Sequence, residues 1–183
     1  MFVLAARMPL IFTAHMVSSA AALLLVPAAI ATRRRRDVHR MLGRLLGAFV
    51  VIGGLTALPV AIFSESSIGA RAGFFVQSLV WMVLLAAGVM AIRRGNRARH
   101  VQLMLAMAAV TTGAVWFRLM TGSAIYFGLP FEPIYVLAAW AGWLLPLSIV
   151  LYFPALARSF YLARTDSRSS SRPERAIALL PSP

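Results

Sequence analysis

The chain alternates five long apolar stretches with loops whose charged residues are almost all arginine. A helix that crosses a bilayer needs about 20 mostly apolar residues, and each stretch reaches that length. None of them shows the period-two alternation of a membrane β-strand. The pattern therefore predicts an all-α, multi-pass membrane bundle. Its five transmembrane helices are predicted at 9–31, 41–63, 73–92, 101–122 and 133–153.

The composition agrees with this prediction. Hydrophobic residues make up 61% and charged residues 13% of the 183 positions, against roughly 45–50% and about 25% in soluble domains. We expect one transmembrane domain, 1–163, followed by a disordered cytoplasmic tail, 164–183, which is rich in serine, arginine and proline. The chain has no cysteine, which excludes disulfides, thiolate catalysis and cysteine-ligated metal.

The net charge of +13 would be compatible with a nucleic-acid-binding protein. The positions of the arginines argue against that function. They concentrate on alternate loops, as the positive-inside rule describes. The N-terminus is thus predicted outside and the C-terminus in the cytoplasm of a bacterial inner membrane, with anionic lipid headgroups as partners. The arginine-bearing segments contain Arg33, Arg34, Arg35, Arg36, Arg40 and Arg44; Arg93, Arg94, Arg97 and Arg99; and Arg158, Arg164, Arg168, Arg172 and Arg175.

The first apolar stretch has an alternative interpretation as a cleaved signal peptide. Arg7 precedes it, and Ala29-Ile30-Ala31 has the small residues of a cleavage site. The stretch is long for a signal peptide, and the arginines directly after Ala31 would resist translocation. We therefore expect an uncleaved first helix.

Small residues indicate where helices approach one another, since lipid supplies little hydrophobic drive between helices. Such residues are spaced four apart in several of the predicted spans. They include Gly43 with Gly47, Ala109 with Gly113, and Ala138 with Gly142.

An ordered set of residues resembles the predicted bacterial membrane proteins known as the domain of unknown function 2306 family, over about 10–150. The resemblance implies a multi-pass bacterial membrane protein with no established activity. The chain departs from the family pattern at Val101-Gln102-Leu103, and at Pro146, beyond which no carboxylate precedes Phe153. The residues that carry the resemblance are His15, Arg33 to Arg36, His39 to Arg44, Gly73-Phe74, Trp81, His100, Arg118, Tyr135, Ala139-Trp140 and Trp143.

Two ionisable residues lie in the outer half of predicted spans. Inserting an ionisable side chain into the bilayer costs free energy. His15 lies about 9 Å along the first helix at 1.5 Å per residue, and Arg118 lies near the outer end of the fourth. We expect both to face the bundle interior and to form a polar pocket, with Glu132 as a carboxylate partner. The alternative is that Arg118 extends outward and His15 makes one interhelical hydrogen bond.

The inner side carries His39, Arg40, Arg44 and His100. One interpretation is an interfacial set that bonds lipid phosphates and helix ends. The other is an anion or headgroup pocket, because guanidinium groups bind phosphate with bidentate geometry. We expect His39 and His100 to be neighbours, on the condition that the second and fourth helices pack together. One haem b held by His39 and His100 is then an alternative. No metal site is predicted.

Trp140 and Trp143 lie within the fifth span and not at its edges, where tryptophan usually concentrates. They indicate packing inside the bundle or the lining of an apolar pocket. No catalytic arrangement is recognisable. The sequence also lacks the obvious inverted repeat that many transporters contain. The sequence favours a non-enzymatic membrane component without a resident cofactor that binds lipid, a small ligand, a partner subunit or its own copy. The alternative is a redox protein with one haem b.

Overall fold

The computed structural model describes residues 6–153. This part of the chain contains five helices that are long and apolar enough to cross a membrane, and it contains no strand. The predicted tail lies outside the described residues. The helices are α1 (Pro9–Ala31), α2 (Arg36–Phe63), α3 (Ile68–Arg93), α4 (Arg97–Tyr126) and α5 (Phe131–Tyr152).

Most of the helices extend beyond the predicted apolar spans. α2 begins at Arg36 and α4 at Arg97, four or five residues before the spans at 41 and 101. The reason is that arginine is a good helix former, so a helix can continue through polar residues beyond its apolar span. Asn96 caps α4, since its side-chain oxygen accepts the Arg99 backbone N–H at 3.0 Å.

Two helices end in the same glycine turn. Gly95 after α3 and Gly128 after α4 have φ values of 77° and 63°, a left-handed conformation that glycine adopts without steric cost. In each turn the backbone N–H after the glycine bonds the carbonyl five positions back, Asn96 to Ala91 and Leu129 to Ala124, both at 2.9 Å. These bonds satisfy carbonyls that the helix end leaves open.

The first four helices form a ring. The main contacts join α1 to α2, α2 to α3 and α3 to α4, and a smaller contact between α4 and α1 closes the ring. α5 packs against α4 and α3 from outside the ring. Helices on opposite sides of the ring, such as α2 and α4, share no extensive contact.

The core lies where the helices of the ring and α5 meet. Its buried apolar side chains come from all five helices, which ties α5 into the same core as the ring. They are Ala22, Val26, Ala29, Leu46, Val50, Trp81, Leu85, Met107, Val110 and Trp143.

The short loops give the molecule two distinct ends. The α1–α2 and α3–α4 junctions lie at one end, together with the arginines at 33–44 and 93–99, and we call this the arginine-rich end. The α2–α3 and α4–α5 junctions lie at the other, which we call the opposite end. This arrangement decides which of the candidate site residues lie at the same depth.

Candidate functional site

Each of the three histidines bonds a main-chain carbonyl of a neighbouring helix. The Nδ1 atom of His15 lies 3.0 Å from the Gly53 oxygen, that of His39 lies 2.9 Å from the Ala29 oxygen, and that of His100 lies 2.9 Å from the Gly88 oxygen. A carbonyl oxygen only accepts, so Nδ1 carries the proton in each ring. The neutral ring then has an unprotonated Nε2.

His15 joins α1 to the middle of α2. Its acceptor, Gly53, is buried where a Cβ atom would meet the Ser19 hydroxyl and the Trp81 ring, each at 3.3 Å. On the other side of α2, the Ser78 hydroxyl donates to the Gly54 carbonyl at 2.7 Å. Adjacent glycines thus allow polar groups of α1 and α3 to reach the α2 backbone.

His39 and His100 occupy equivalent places at the arginine-rich end. Each is the fourth residue of its helix, α2 or α4, and each bonds back to the helix that precedes it. The two histidines were expected to be neighbours if α2 packs directly on α4. That packing does not occur, so the expectation is wrong. The two helices lie across the ring from each other, because each is held by the neighbours on either side.

Arg118 lies on the surface of the bundle. Its side chain is exposed and donates to the Ala114 carbonyl of its own helix at 2.9 Å. The expectation that it faces the bundle interior and forms a polar pocket with His15 is therefore wrong. The long side chain reaches a carbonyl one turn back, which satisfies the guanidinium without burial. Glu132 is exposed in the first turn of α5.

Arg40 and Arg44 are exposed on α2, and so are the other arginines at 33–36 and 93–99. Arg33 donates to the Ile30 carbonyl at 3.3 Å. For the others, the described residues provide no ion-pair partner. The arginine-rich end is accordingly a surface of positive charge that the described part of the chain does not neutralise.

Three of the four tryptophans, Trp81, Trp140 and Trp143, pack against neighbouring helices, whereas Trp116 is 50% exposed. Trp143 is 3% exposed and donates to the Ala139 carbonyl at 3.0 Å. Trp140 is half-buried and donates to the Gly69 carbonyl of α3 at 3.0 Å. Trp81 donates to the Thr111 hydroxyl at 2.8 Å. The Trp81 and Trp140 bonds join neighbouring helices, and the Trp143 bond lies within α5.

Arg71, which the sequence did not single out, has a structural role at the opposite end. Its Nε donates to the Ala61 carbonyl at 3.2 Å, and its NH2 group donates to the Ile62 carbonyl. Both carbonyls belong to the last turn of α2, where intrahelical partners are missing. A basic residue ten positions beyond a carbonyl, across a short loop, is the signal that would have suggested this cap.

An aromatic cluster on α3, α4 and α5 was also missed. The ring centroids of Phe74 and Phe117 are 5.2 Å apart, and those of Phe117 and Tyr135 are 5.1 Å apart, both edge-to-face. Phe74 and Tyr135 complete the triangle at 6.0 Å.

Among the residues the structure describes, no group of three or more histidine, cysteine or acidic side chains is placed to hold a metal ion.

Comparison with known proteins gives one match. A family described as "Predicted membrane protein (DUF2306)" matches residues 12–153, from the first turn of α1 to the end of α5, and this range contains the three histidines. No curated protein and no solved structure matches the chain.

Proposed function

This chain belongs to the DUF2306 family of predicted membrane proteins, and from that premise we propose that it is a non-enzymatic component of a bacterial inner membrane. We infer that its arginine-rich end faces the cytoplasm and binds anionic phospholipid headgroups. The observation that carries the proposal is the exposed arginine surface at one end of a bundle with five apolar helices.

The chemistry of that surface favours phosphate. A guanidinium group presents paired N–H donors that match phosphate oxygens. Each arginine near an anionic leaflet contributes about 1 kcal/mol of attraction. Because no ion pair within the described residues uses Arg36, Arg40, Arg97 or Arg99, these donors are available to lipid.

The test is lipid-dependent stability of the full chain. We expect purified protein in nanodiscs that contain phosphatidylglycerol to unfold at a higher temperature than in nanodiscs of phosphatidylcholine alone. The difference should shrink as salt rises, since salt screens exposed charges. Replacing Arg93, Arg94, Arg97 and Arg99 together by glutamine should reduce the difference, and the exposed arginines at 33–44 should retain the rest of it.

The matched control is Arg118→Gln, which removes an exposed arginine outside the arginine-rich end and should keep the phosphatidylglycerol effect. Equal unfolding temperatures in both lipids would overturn the proposal. An effect of undiminished size in the four-arginine variant would overturn the assigned surface. In that case, binding of a small ligand or a partner subunit becomes the function to test.

A further inference from the structure

A groove between α2 and α3 lies at the opposite end of the bundle. It has a volume of about 420 Å³, within the range of roughly 300–1,000 Å³ that small-ligand sites occupy. Ala61 and Ile62 form its α2 side, and residues between Ile68 and Val76 form its α3 side. Six of the seven lining residues are apolar, and the seventh is Arg71. The groove therefore combines an apolar lining with a single positive charge.

The α3 side of the groove is one stripe along the helix. Its positions 68, 72 and 76 are four residues apart, as are 71 and 75, so these side chains lie on one face. Ile68 is 82% exposed, and Ala72 is exposed as well. The described helices thus leave the outer part of this face uncovered, and in a membrane it meets lipid.

The polarity of the groove changes with depth. Arg71 lies at the start of α3, level with the last turn of α2 whose carbonyls it bonds. Phe75 and Val76 follow about 6–8 Å further along the helix at 1.5 Å per residue, toward the middle of the span. The ends of spanning helices lie near the headgroups and their middle lies in hydrocarbon. The cation is therefore at headgroup depth, and the apolar lining continues into the hydrocarbon.

The guanidinium of Arg71 is fixed in place but keeps free donors. It has five N–H groups, of which one on Nε bonds the Ala61 carbonyl and one on NH2 bonds the Ile62 carbonyl. Its NH1 group has no partner among the described residues, and no carboxylate of that part of the chain forms an ion pair with it. The two carbonyls thus orient the side chain and leave its formal charge without a counter-ion.

We propose that this groove binds one anionic phospholipid, with the phosphate on Arg71 and an acyl chain along Phe75 and Val76. The remaining N–H donors match phosphate oxygens in charge and geometry, and the apolar stripe matches the chain. The surrounding bilayer supplies such a molecule in excess. A second copy of this chain would instead have to bring Glu65 or Glu132 to the groove. The site is separate from the arginine-rich end and would place a specific lipid at the other end of the bundle.

The test is photo-crosslinking on the full chain. Nanodiscs of phosphatidylcholine receive a small share of phosphatidylglycerol that carries a diazirine in one acyl chain, and peptide mass spectrometry locates the adducts after irradiation. We expect adducts to concentrate in residues 61–76. Phosphatidylcholine with the same diazirine chain should label this segment less, because its choline ammonium offsets the charge of its phosphate.

Two variants test the two parts of the site. Arg71→Gln should lower the phosphatidylglycerol labelling about tenfold, the effect expected when a hydrogen bond to a charged group is lost. Because Arg71 also caps α2, a second variant leaves that cap in place. Ala72→Phe fills the groove beside Arg71 and should lower the labelling as well. Its matched control is Ala86→Phe, which enlarges another exposed alanine of α3 outside the groove and should keep the labelling.

Equal labelling of 61–76 by the two lipids would overturn the proposal, and so would wild-type labelling in both Arg71→Gln and Ala72→Phe. Folded protein without adducts in this segment would also overturn it and leave a second copy or a partner helix as the occupant. The variant without Arg93, Arg94, Arg97 and Arg99 should label like the wild type in the groove. Failure here therefore does not bear on the arginine-rich end, which the unfolding measurement tests separately.

Discussion

Glycine carbonyls accept many of the side-chain hydrogen bonds between helices in this bundle. His15 bonds Gly53, Ser78 bonds Gly54, Trp140 bonds Gly69 and His100 bonds Gly88. A carbonyl oxygen has a second lone pair beside its intrahelical bond, and glycine leaves room for a donor to reach it. Polar side chains are thereby satisfied within apolar helices without polar partners on the facing helix.

The bond between Trp81 and Thr111 is a different case, because both partners are side chains and both are buried. Thr111→Val keeps the volume but leaves the indole N–H unpaired. Interhelical hydrogen bonds in membranes contribute about 0.6 kcal/mol on average and at most about 1.7. We expect a loss of unfolding free energy toward the upper figure, measured by denaturant titration in mixed micelles.

Thr112→Val is the matched control for this measurement. The Thr112 hydroxyl donates to the Ala109 carbonyl of its own helix at 2.7 Å, so its removal breaks no contact between helices. A loss in Thr111→Val no larger than that in Thr112→Val would show that the Trp81 bond adds nothing to stability.

The sequence predicted the depth of polar residues better than their direction. The count of residues from the start of α1 correctly placed His15 inside the helix. It did not reveal that Gly53 is its acceptor, because every residue has a carbonyl and only packing selects one. For Arg118, the cost of burial suggested an interior position. The arginine side chain instead meets that cost by reaching the Ala114 carbonyl on its own helix.

The helices themselves were largely predictable, because a span of apolar residues of sufficient length is a strong signal. Their contacts were predictable only in part. Two of the small residues, Gly113 and Gly142, do lie where α4 approaches α5, since a Cβ on Gly142 would lie 3.3 Å from the Gly113 carbonyl oxygen. Gly43, in contrast, has no atom within 4 Å of an added Cβ. The spacing of small residues does not tell which side of a helix faces its neighbours.

The contact of α3 with α5 depends on Gly73. A Cβ at this position would lie 2.9 Å from the Ala139 backbone oxygen and 3.1 Å from the Trp140 Nε1. Backbone atoms cannot move aside as a flexible side chain does, so Gly73→Ala should force the helices apart. We expect a loss of about 1–3 kcal/mol, the usual cost of overpacking, measured by denaturant titration in micelles.

Gly43→Ala provides the comparison within the same protein. Its Cβ meets open space in a helix, where alanine is favoured over glycine by roughly 0.5–1 kcal/mol. We expect this variant to be as stable as the wild type or more stable. If Gly73→Ala were as stable as Gly43→Ala, the close approach of α3 and α5 at Gly73 would not require a glycine.

The two ends of the bundle differ in charge. Exposed arginines crowd the α1–α2 and α3–α4 junctions, whereas the α2–α3 loop carries Glu65, and the nearby Arg71 is engaged with α2 carbonyls. Loop arginines resist translocation and set the orientation of a multi-pass protein. Orientation is therefore a property of the whole chain that the charge distribution predicts and the packing of the helices does not.

Cysteine labelling tests this orientation directly, because the natural chain has no cysteine. We expect Glu65→Cys, in the α2–α3 loop, to react with a membrane-impermeant maleimide in intact cells. Asp37→Cys, at the arginine-rich end, should react only after the membrane is opened, and this later reaction shows that its thiol is accessible. Both positions are exposed, and neither substitution removes an arginine. Labelling of Asp37→Cys but not Glu65→Cys in intact cells would reverse the orientation. It would then place the arginine-rich end on the outer side of the membrane.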